Sequence, residues 1–164
     1  MSTSRIAPCL WFNGEAEEAA TFYVSLFPDS RIDKVSRYGG DQTFPVSFPK
    51  GTALMVEFTL AGQRFQALNG GPQFRHSEAI SLSISGRDAR EVDHYWNALT
   101  AHGGAEGPCG WLKDRFGVSW QVVPEGLGEL LADRDSARAG RALKAMLGMK
   151  KLDLAAIAEA ADGG

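Results

Sequence analysis

Two glutamines have the residue type and the position that best suit contact with a bound molecule. Gln66 and Gln121 each lie in a segment of alternating apolar and polar residues, 63–68 and 118–123. Because successive side chains of a strand point to opposite faces, both amides are predicted to lie opposite their apolar neighbours. An amide offers donors and an acceptor without a full charge to desolvate. The two glutamines therefore either position a polar, uncharged ligand group or only hydrogen-bond to neighbouring strands.

Glu57 and Trp111 are the next candidates for ligand contact. Glu57 lies opposite the apolar residues of the segment 54–58, where a partly buried carboxylate can act as a general base. The alternative for Glu57 is a solvated charge at a sheet edge. Trp111 flanks a predicted hairpin and either forms an aromatic wall for a flat ligand or packs in the core. The tip of this hairpin, residues 113–115, is predicted to be a solvated turn with a local ion pair.

Residue types give little support to metal or nucleophile chemistry. His94 falls opposite the apolar stripe of its predicted helix, and His102 lies in a last helical turn, where an imidazole favours the helix dipole. His76 remains as a plausible ligand. Cys9 and Cys109 lie a hundred positions apart without a CxxC motif, which indicates buried, reduced thiols rather than a disulfide scaffold or a zinc ribbon. No Ser/His/Asp or Cys/His arrangement emerges from the spacing.

Composition bounds the class of protein. The chain has 164 residues, of which 44% are hydrophobic and 23% charged, as in an ordinary globular domain. Its net charge of −3 disfavours a nucleic-acid partner, which requires clustered lysine and arginine. The longest apolar runs are far shorter than the roughly 20 residues that cross a bilayer, and no hydrophobic signal run begins the chain. We therefore expect a soluble, cytoplasmic protein with no membrane or nucleic-acid partner and no cofactor.

Hydrophobic periodicity predicts the elements that position these residues. Pro28 and the pair Gly103-Gly104 end the first two predicted helices, and a loop rich in Gly and Pro, residues 39–51, separates the second and third strands. The pattern is β-α-β-β-β, repeated once and followed by helices. Strands are predicted over residues 6–12, 31–38, 52–60, 63–68, 79–85, 110–114 and 118–123, with a short segment at 105–107 before the strand at 110–114. Helices are predicted over residues 15–27, 88–102, 125–132, 136–147 and 152–161.

The two halves of this pattern are copies of each other. A shift of 73 positions places Ala16 on Ala89, and a shift of 55 places Gln66 on Gln121. One module exposes a sheet face that it cannot bury alone, so two modules are predicted to form a curved mixed sheet with a cup and with helices outside. The predicted fold class is α+β. The paired modules span residues 5–124, with the first at 5–69 and the second at 78–124, and a helical extension spans 125–164.

Three stretches carry a resemblance to a known family: residues 78–82, 92–96 and above all 109–121, which read EAISL, VDHYW and CGWLKDRFGVSWQ. Over residues 5–124 the chain resembles the vicinal-oxygen-chelate superfamily of glyoxalase I, bleomycin-resistance proteins and extradiol dioxygenases. Within it, the chain is similar to the PhnB-like branch, whose members often carry the name 3-demethylubiquinone-9 3-methyltransferase. The resemblance implies a small ligand in the cup, and a cup that a second chain completes or covers.

The resemblance also implies where a metal would bind. In the superfamily, His and Glu ligands come from the first and last strands of each module. The matching positions here are Pro8, Ser81, Gln66 and Gln121, and none supplies the imidazole, thiolate or carboxylate that divalent cations prefer. A register error of two residues would bring Glu78 or His76 to the site. Ser81 is therefore a candidate ligand-binding residue, and no metal site is expected.

Three classes of function remain. The interpretation adopted is a metal-independent protein that binds a small organic molecule in the cup, with enzymatic activity left open. A metal-dependent lyase, isomerase or dioxygenase needs ligands that the sequence lacks. A methyltransferase acting on a demethylubiquinone-like quinone needs a glycine-rich strand-to-helix turn for its cofactor. Asn69-Gly70-Gly71 follows a strand but leads into Pro72 and another loop.

The C-terminal helices favour a homodimer. Their apolar stripes either wrap the chain's own core or meet a second copy, because an exposed apolar patch of this size is unusual on a monomer. One stripe consists of Ala139, Ala142, Leu143, Met146 and Leu147, and the other of Leu154, Ile157, Ala158 and Ala161.

Overall fold

The computed structural model describes residues 5–39 and 48–164, so most of the predicted loop at 39–51 lies outside the described residues. The chain divides into two compact units, Met1–His76 and Ser77–Gly164. Each unit contains one four-stranded mixed sheet. Within the described ranges, no helix has the length and apolar character needed to cross a bilayer.

The first unit is a β-α-β-β-β module. The strand order in its sheet is β1-β4-β3-β2, with β1 parallel to β4 and the other neighbours antiparallel. The first strand therefore pairs with the last, although the helix and two strands lie between them in sequence. The elements are β1 (Cys9–Phe12), α1 (Ala16–Leu26), β2 (Arg31–Arg37), β3 (Ala53–Leu60) and β4 (Gln63–Asn69).

The second unit repeats the module and adds three helices. Its strand order is β5-β8-β7-β6, again with the first strand parallel to the last. The predicted α+β class, with two β-α-β-β-β modules and C-terminal helices, is confirmed. The elements are β5 (Leu82–Gly86), α2 (Ala89–Thr100), a single 3-10 turn (Ala101–Gly103), β6 (Ala105–Glu106), β7 (Trp111–Lys113), β8 (Ser119–Pro124), α3 (Leu127–Leu131), α4 (Ser136–Leu147) and α5 (Leu154–Asp162).

Two strands begin three residues later than the sequence predicts. The first strand begins at Cys9 rather than at residue 6, and the strand predicted from residue 79 begins at Leu82. Ile6 and Ile80 precede the two strands, and their side chains are exposed. Both strands lie at a sheet edge and pair with a single neighbour, so the length of that pairing sets where they begin. An apolar run does not show where its partner strand ends.

Helix α1 packs on one face of the first sheet. Tyr23 lies against Phe58, with ring centroids 6.4 Å apart, and Phe58 stacks on Phe65 at 5.5 Å. The buried residues on this face are Val56, Phe58, Phe65 and Ala67 from the sheet and Ala16, Ala19, Ala20 and Tyr23 from the helix. Small alanines let the helix backbone approach the sheet closely.

Asn69 at the end of β4 connects the sheet to the start of α1. Its side chain is fully buried, and its Oδ1 accepts hydrogen bonds from the backbone N–H groups of Gly14 (2.8 Å) and Ala16 (3.1 Å). Its Nδ2 donates to the carbonyl of Ala53 at 2.9 Å. The first N–H groups of a helix lack partners within the helix. Asn69 supplies the missing hydrogen-bond acceptor from β4, which is distant in sequence.

The second sheet is covered in the same way, and the C-terminal helices form a further cluster beside it. Val92, Tyr95, Trp96 and Leu99 of α2 are buried, as are Ile84, Leu112, Trp120 and Val122 of the sheet. The C-terminal cluster contains Leu127, Ala142, Leu152, Ile157 and Ala161, and Val123 of β8 packs against it. The segment before α5 also bonds to the module, since the N–H groups of Cys109 and Gly110 donate to the carbonyls of Met149 (2.8 Å) and Lys150 (2.7 Å).

Asp114 lies in the hairpin turn that was predicted to be solvated, and that prediction is wrong. Its side chain is 3% exposed. Its carboxylate accepts from the N–H groups of Phe116 (2.9 Å) and Val118 (3.0 Å) and from the Trp120 indole N–H (2.8 Å). The carboxylate therefore fixes the turn between β7 and β8 from inside.

Replacing Asn69 by leucine should destabilise the protein by at least about 3 kcal/mol. The variant leaves the buried Ala16 N–H, the partly buried Gly14 N–H and the buried Ala53 carbonyl without their partner, and each buried group costs roughly 1–3 kcal/mol. The measurement is urea unfolding followed by circular dichroism. Asn13→Ala, at an exposed position next to the same helix, is the matched control and should stay within about 0.5 kcal/mol of the parent. A loss below about 1 kcal/mol for Asn69→Leu would contradict this role.

Candidate functional site

The face of the first sheet opposite α1 carries a row of polar residues. Gln66 lies directly between Cys9 on β1 and Glu57 on β3, and Glu57 in turn pairs with Lys34 on β2. Residues paired across strands share one face. Cys9 is exposed, so the prediction of a buried thiol is wrong there, because β1 is an edge strand and Cys9 lies on its face away from the helix. Both cysteines are free.

Charges at one end of this row already have partners. Arg64 lies 3.9 Å from the Glu57 carboxylate, and Arg31 lies 2.7 Å from that of Asp33. The hydroxyl of Thr59 also donates to Asp33, at 2.6 Å. These residues line a cleft of about 460 Å³. Glu57 is half-buried within the first unit and paired with Arg64.

The matching face of the second sheet contains the other three candidates. The Gln121 Nε2 donates to the hydroxyl of Ser81 at 2.8 Å, and Gln121 lies directly opposite Trp111 on β7. All three side chains are half-buried. Trp120 and Leu112, the next pair along, are buried on the helix side. The candidate side chains therefore lie on the face that α2 leaves open.

A cavity of about 550 Å³ opens beside Trp111. Its lining includes Ser119 of β8 and Lys113 of β7, which are paired directly opposite each other. Lys113 forms an ion pair with Glu78. Ser119 is 2% exposed, and its hydroxyl is without a hydrogen-bond partner among the described residues. The lining consists of Glu78, Ala105, Glu106, Gly107, Pro108, Trp111, Leu112, Lys113 and Ser119.

The structure thus groups the predicted residues within each unit. Glu57 and Gln66 are neighbours in the first, and Ser81, Gln121 and Trp111 are neighbours in the second. The sequence reasoning missed Ser119 and the ion pair of Lys113 with Glu78. Alternation along β8 places Ser119 on the face of Gln121, which was an available signal. No sequence signal indicated that Lys113 pairs with Glu78, because this pairing depends on the turn before β5.

Corresponding residues of the two modules occupy corresponding places. In the first unit, the Gln66 N–H donates to the carbonyl of Pro8 at 2.9 Å. In the second, Gln121 bonds to Ser81. The four positions that the superfamily uses for metal ligands are therefore adjacent in pairs, one pair in each unit.

These donors do not fit a divalent metal. Proline has no side-chain donor, and neutral amide and hydroxyl groups are weak ligands beside imidazole, thiolate or carboxylate. His76 and Glu78 do not complete such a site: His76 Nε2 is buried without a partner among the described residues but is a single imidazole, and Glu78 is paired with Lys113. Across residues 5–39 and 48–164, no group of three or more His, Cys, Asp or Glu side chains is arranged to hold a metal ion.

The turn at Gly70 and Gly71 does not form a cofactor loop. Both N–H groups donate to the carbonyl of Phe12, at 3.0 and 3.3 Å, and the Trp11 indole N–H donates to the Gly71 carbonyl at 2.8 Å. A Cβ at Gly70 would lie 2.3 Å from the Trp11 ring, so glycine is required there. The backbone groups of this turn serve the fold, and no helix follows them.

Comparisons with known proteins identify the family. The sequence model of the family described as 3-demethylubiquinone-9 3-methyltransferase matches residues 4–123. The solved PhnB protein of Bacillus cereus is 34% identical, with a TM-score of 0.64, over 74% of this chain and 99% of that chain. No curated protein matches closely enough to count as a relative.

Two more distant structures share the fold. A Pseudomonas aeruginosa protein is 24% identical, with a TM-score of 0.61, over 75% of this chain and 98% of that chain. FosX, a fosfomycin resistance protein of Listeria monocytogenes solved with Mn(II) and sulfate, is 21% identical, with a TM-score of 0.53, over 80% and 99% of the two chains. The paired modules define a vicinal-oxygen-chelate protein of the PhnB-like branch. The chain belongs to the 3-demethylubiquinone-9 3-methyltransferase family.

Protein purified without an affinity tag should contain far less than one divalent ion per chain by elemental analysis. Because the donors at Pro8, Ser81, Gln66 and Gln121 are weak, EDTA should leave the Tm unchanged, and added Mn²⁺ should not raise it. A tagged sample treated in parallel controls for ions carried by the tag. Near-stoichiometric zinc, nickel, manganese or iron in the untagged protein would contradict this expectation.

Proposed function

We propose that the chain binds a small organic molecule in the cavity of the second unit, without a divalent metal. The observation that carries the proposal is Ser119, a residue of the cavity lining whose buried hydroxyl is without a hydrogen-bond partner in the described structure. An unsatisfied buried hydroxyl costs free energy, and a ligand group or a water in the cavity removes that cost. A cavity of about 550 Å³ is within the usual range for small-molecule sites.

The lining favours a flat, largely apolar ligand. Trp111 is half-buried, and Ala105 and Pro108 add apolar residues to the lining. An indole offers a broad face for stacking and contributes strongly to binding when it is buried. The polar side chains of the lining are those of Ser119, Lys113, Glu78 and Glu106, and such groups orient the ligand in most small-molecule sites.

The glutamines extend this proposal. Gln121 lies beside Trp111, and its bond to Ser81 fixes the amide in one orientation. An amide held by one hydrogen bond retains further donor and acceptor capacity for a ligand. We assign the same role in the first unit to Gln66, next to Glu57. The alternative is that both amides only hold their own strands, as the Gln121 bond to Ser81 also allows.

The two competing activities need different bound groups, a divalent metal in one case and a methyltransferase cofactor in the other. A metal-dependent lyase, isomerase or dioxygenase is favoured by the fold shared with FosX, whose structure contains Mn(II), but the donors here disfavour it. The methyltransferase in the family name needs a cofactor-binding turn, and the N–H groups of Gly70 and Gly71 are already bonded. Calorimetry with S-adenosylmethionine separates the methyltransferase from the binding protein.

We also propose a homodimer in which α4 contributes an apolar surface. Much of its predicted stripe packs inside the chain, since Ala142 is buried and Met146 contacts the C-terminal cluster. Leu143 and Leu147 are 45% and 61% exposed. Burying two leucines in a symmetric contact with a second copy would remove this exposed surface.

Trp111→Ala should weaken binding of 1-naphthoate, a flat aromatic test compound, at least tenfold. The substitution removes the largest apolar wall of the cavity. Isothermal titration calorimetry measures the affinity, and thermal unfolding checks that the variant is folded. Phe74→Ala, which removes an aromatic side chain exposed on the first unit, is the control and should leave the affinity unchanged. Equal affinities for Trp111→Ala and the parent would place the ligand elsewhere.

The double variant Leu143→Glu, Leu147→Glu should convert a dimer into a monomer. Two charges at the centre of the contact cannot be buried without partners, whereas the exposed positions tolerate them in the monomer. Light scattering after size exclusion gives the mass. Lys144→Glu, on the same helix, tests for a general effect of charge. A monomeric parent, or a double variant that remains dimeric, would contradict this interface.

A further inference from the structure

The cavity of the second unit contains a cation and a hydroxyl side by side. Lys113 and Ser119 are directly opposite each other on β7 and β8, so their side chains leave the same face of the sheet as neighbours. Both line the cavity. The rest of the strand and loop lining beside them is mainly apolar, with Trp111 as its largest member.

We infer that this cavity takes a flat organic anion, whose acid group replaces the Glu78 carboxylate on Lys113 and accepts a hydrogen bond from Ser119. The inference rests on the proposed function and specifies its ligand class. A carboxylate or another oxyanion fits a primary ammonium and a hydroxyl, because its oxygens accept from both. The aromatic body of the ligand would lie against Trp111.

Glu78 is a carboxylate that already occupies the position of the ligand's acid group. It precedes β5 in a turn, and its side chain is 65% exposed, against 40% for that of Lys113. Its pKa is lowered, chiefly by the hydrogen bond with Lys113 and then by a backbone hydrogen bond. An exposed ion pair of this kind contributes little to stability, so a ligand can displace the carboxylate at small cost.

The positions of Lys113 and Glu78 favour a ligand with a negative charge. Lys113 is held in a strand between two neighbours, whereas Glu78 lies outside the sheet and is free to turn into solvent. The other carboxylate of the lining, Glu106, is engaged on the helix side by the Trp96 indole N–H (3.1 Å) and by Lys150 (3.4 Å). An anionic ligand therefore gains Lys113, while a cationic ligand would have to displace it.

The test compares 1-naphthoate with its neutral amide, 1-naphthamide, by calorimetry on the full chain. We expect 1-naphthoate to bind at least tenfold more tightly. Glu78→Gln removes the competing carboxylate and should raise the affinity for 1-naphthoate severalfold without changing that for 1-naphthamide. Lys113→Met should abolish the preference. Lys50→Met, at an exposed turn position of the first unit, is the matched control and should preserve it.

Three results would overturn the inference, and each has a different consequence for the proposed function. Equal affinities for the two compounds, unchanged by Glu78→Gln, would leave the cavity as a binding site but exclude a charged ligand class. Failure of both compounds to bind would also overturn the proposed function. If the Lys113→Met variant still preferred 1-naphthoate, the acid group would be bound by another cation. This result would equally contradict the assignment to Lys113.

Discussion

In both units the first strand pairs in parallel with the last, and the remainder of each module depends on that pairing. The helix and the two middle strands lie between these two strands in sequence. The sheet is therefore complete only when the last strand has paired with the first. Matching bonds secure this closure: Gly70 N–H donates to Phe12 at 3.0 Å and Glu125 N–H to Gly86 at 2.8 Å. Such non-local pairing requires loop closure before it contributes stability.

The pairing also divides each sheet into two chemically different faces. The helix covers one face, where aromatic and aliphatic side chains are buried, and the opposite face keeps amides, hydroxyls and charges. Because the helix is tied to the end of the last strand in the first unit through Asn69, the two faces cannot exchange without breaking buried hydrogen bonds. Side chains for ligand contact are therefore available on one face only, and their neighbours are set by strand register.

The sequence predicted much of this arrangement because period and repetition are local signals. The helix of residues 136–147 was predicted to the residue, and the repeat placed Gln66 and Gln121 at corresponding sites. Features set by distant partners were not predictable in the same way. The residue at which a strand begins depends on the length of its neighbouring strand. The burial of Asp114 depends on its hydrogen bond with Trp120 across the hairpin. The pairing of Lys113 with Glu78 depends on the turn before β5.

The bonds between residues 109–110 and 149–150 make the order of synthesis relevant to how this chain folds. The first unit has all its strands once residue 76 has left the ribosome, and it can close while the remainder is being made. The second unit remains incomplete for longer, because two amides before β7 lack their acceptors until residue 150 is present. Val123 of β8 likewise lacks its apolar neighbours until the C-terminal cluster has been synthesised. The period of exposure to aggregation therefore falls on the second half of the chain.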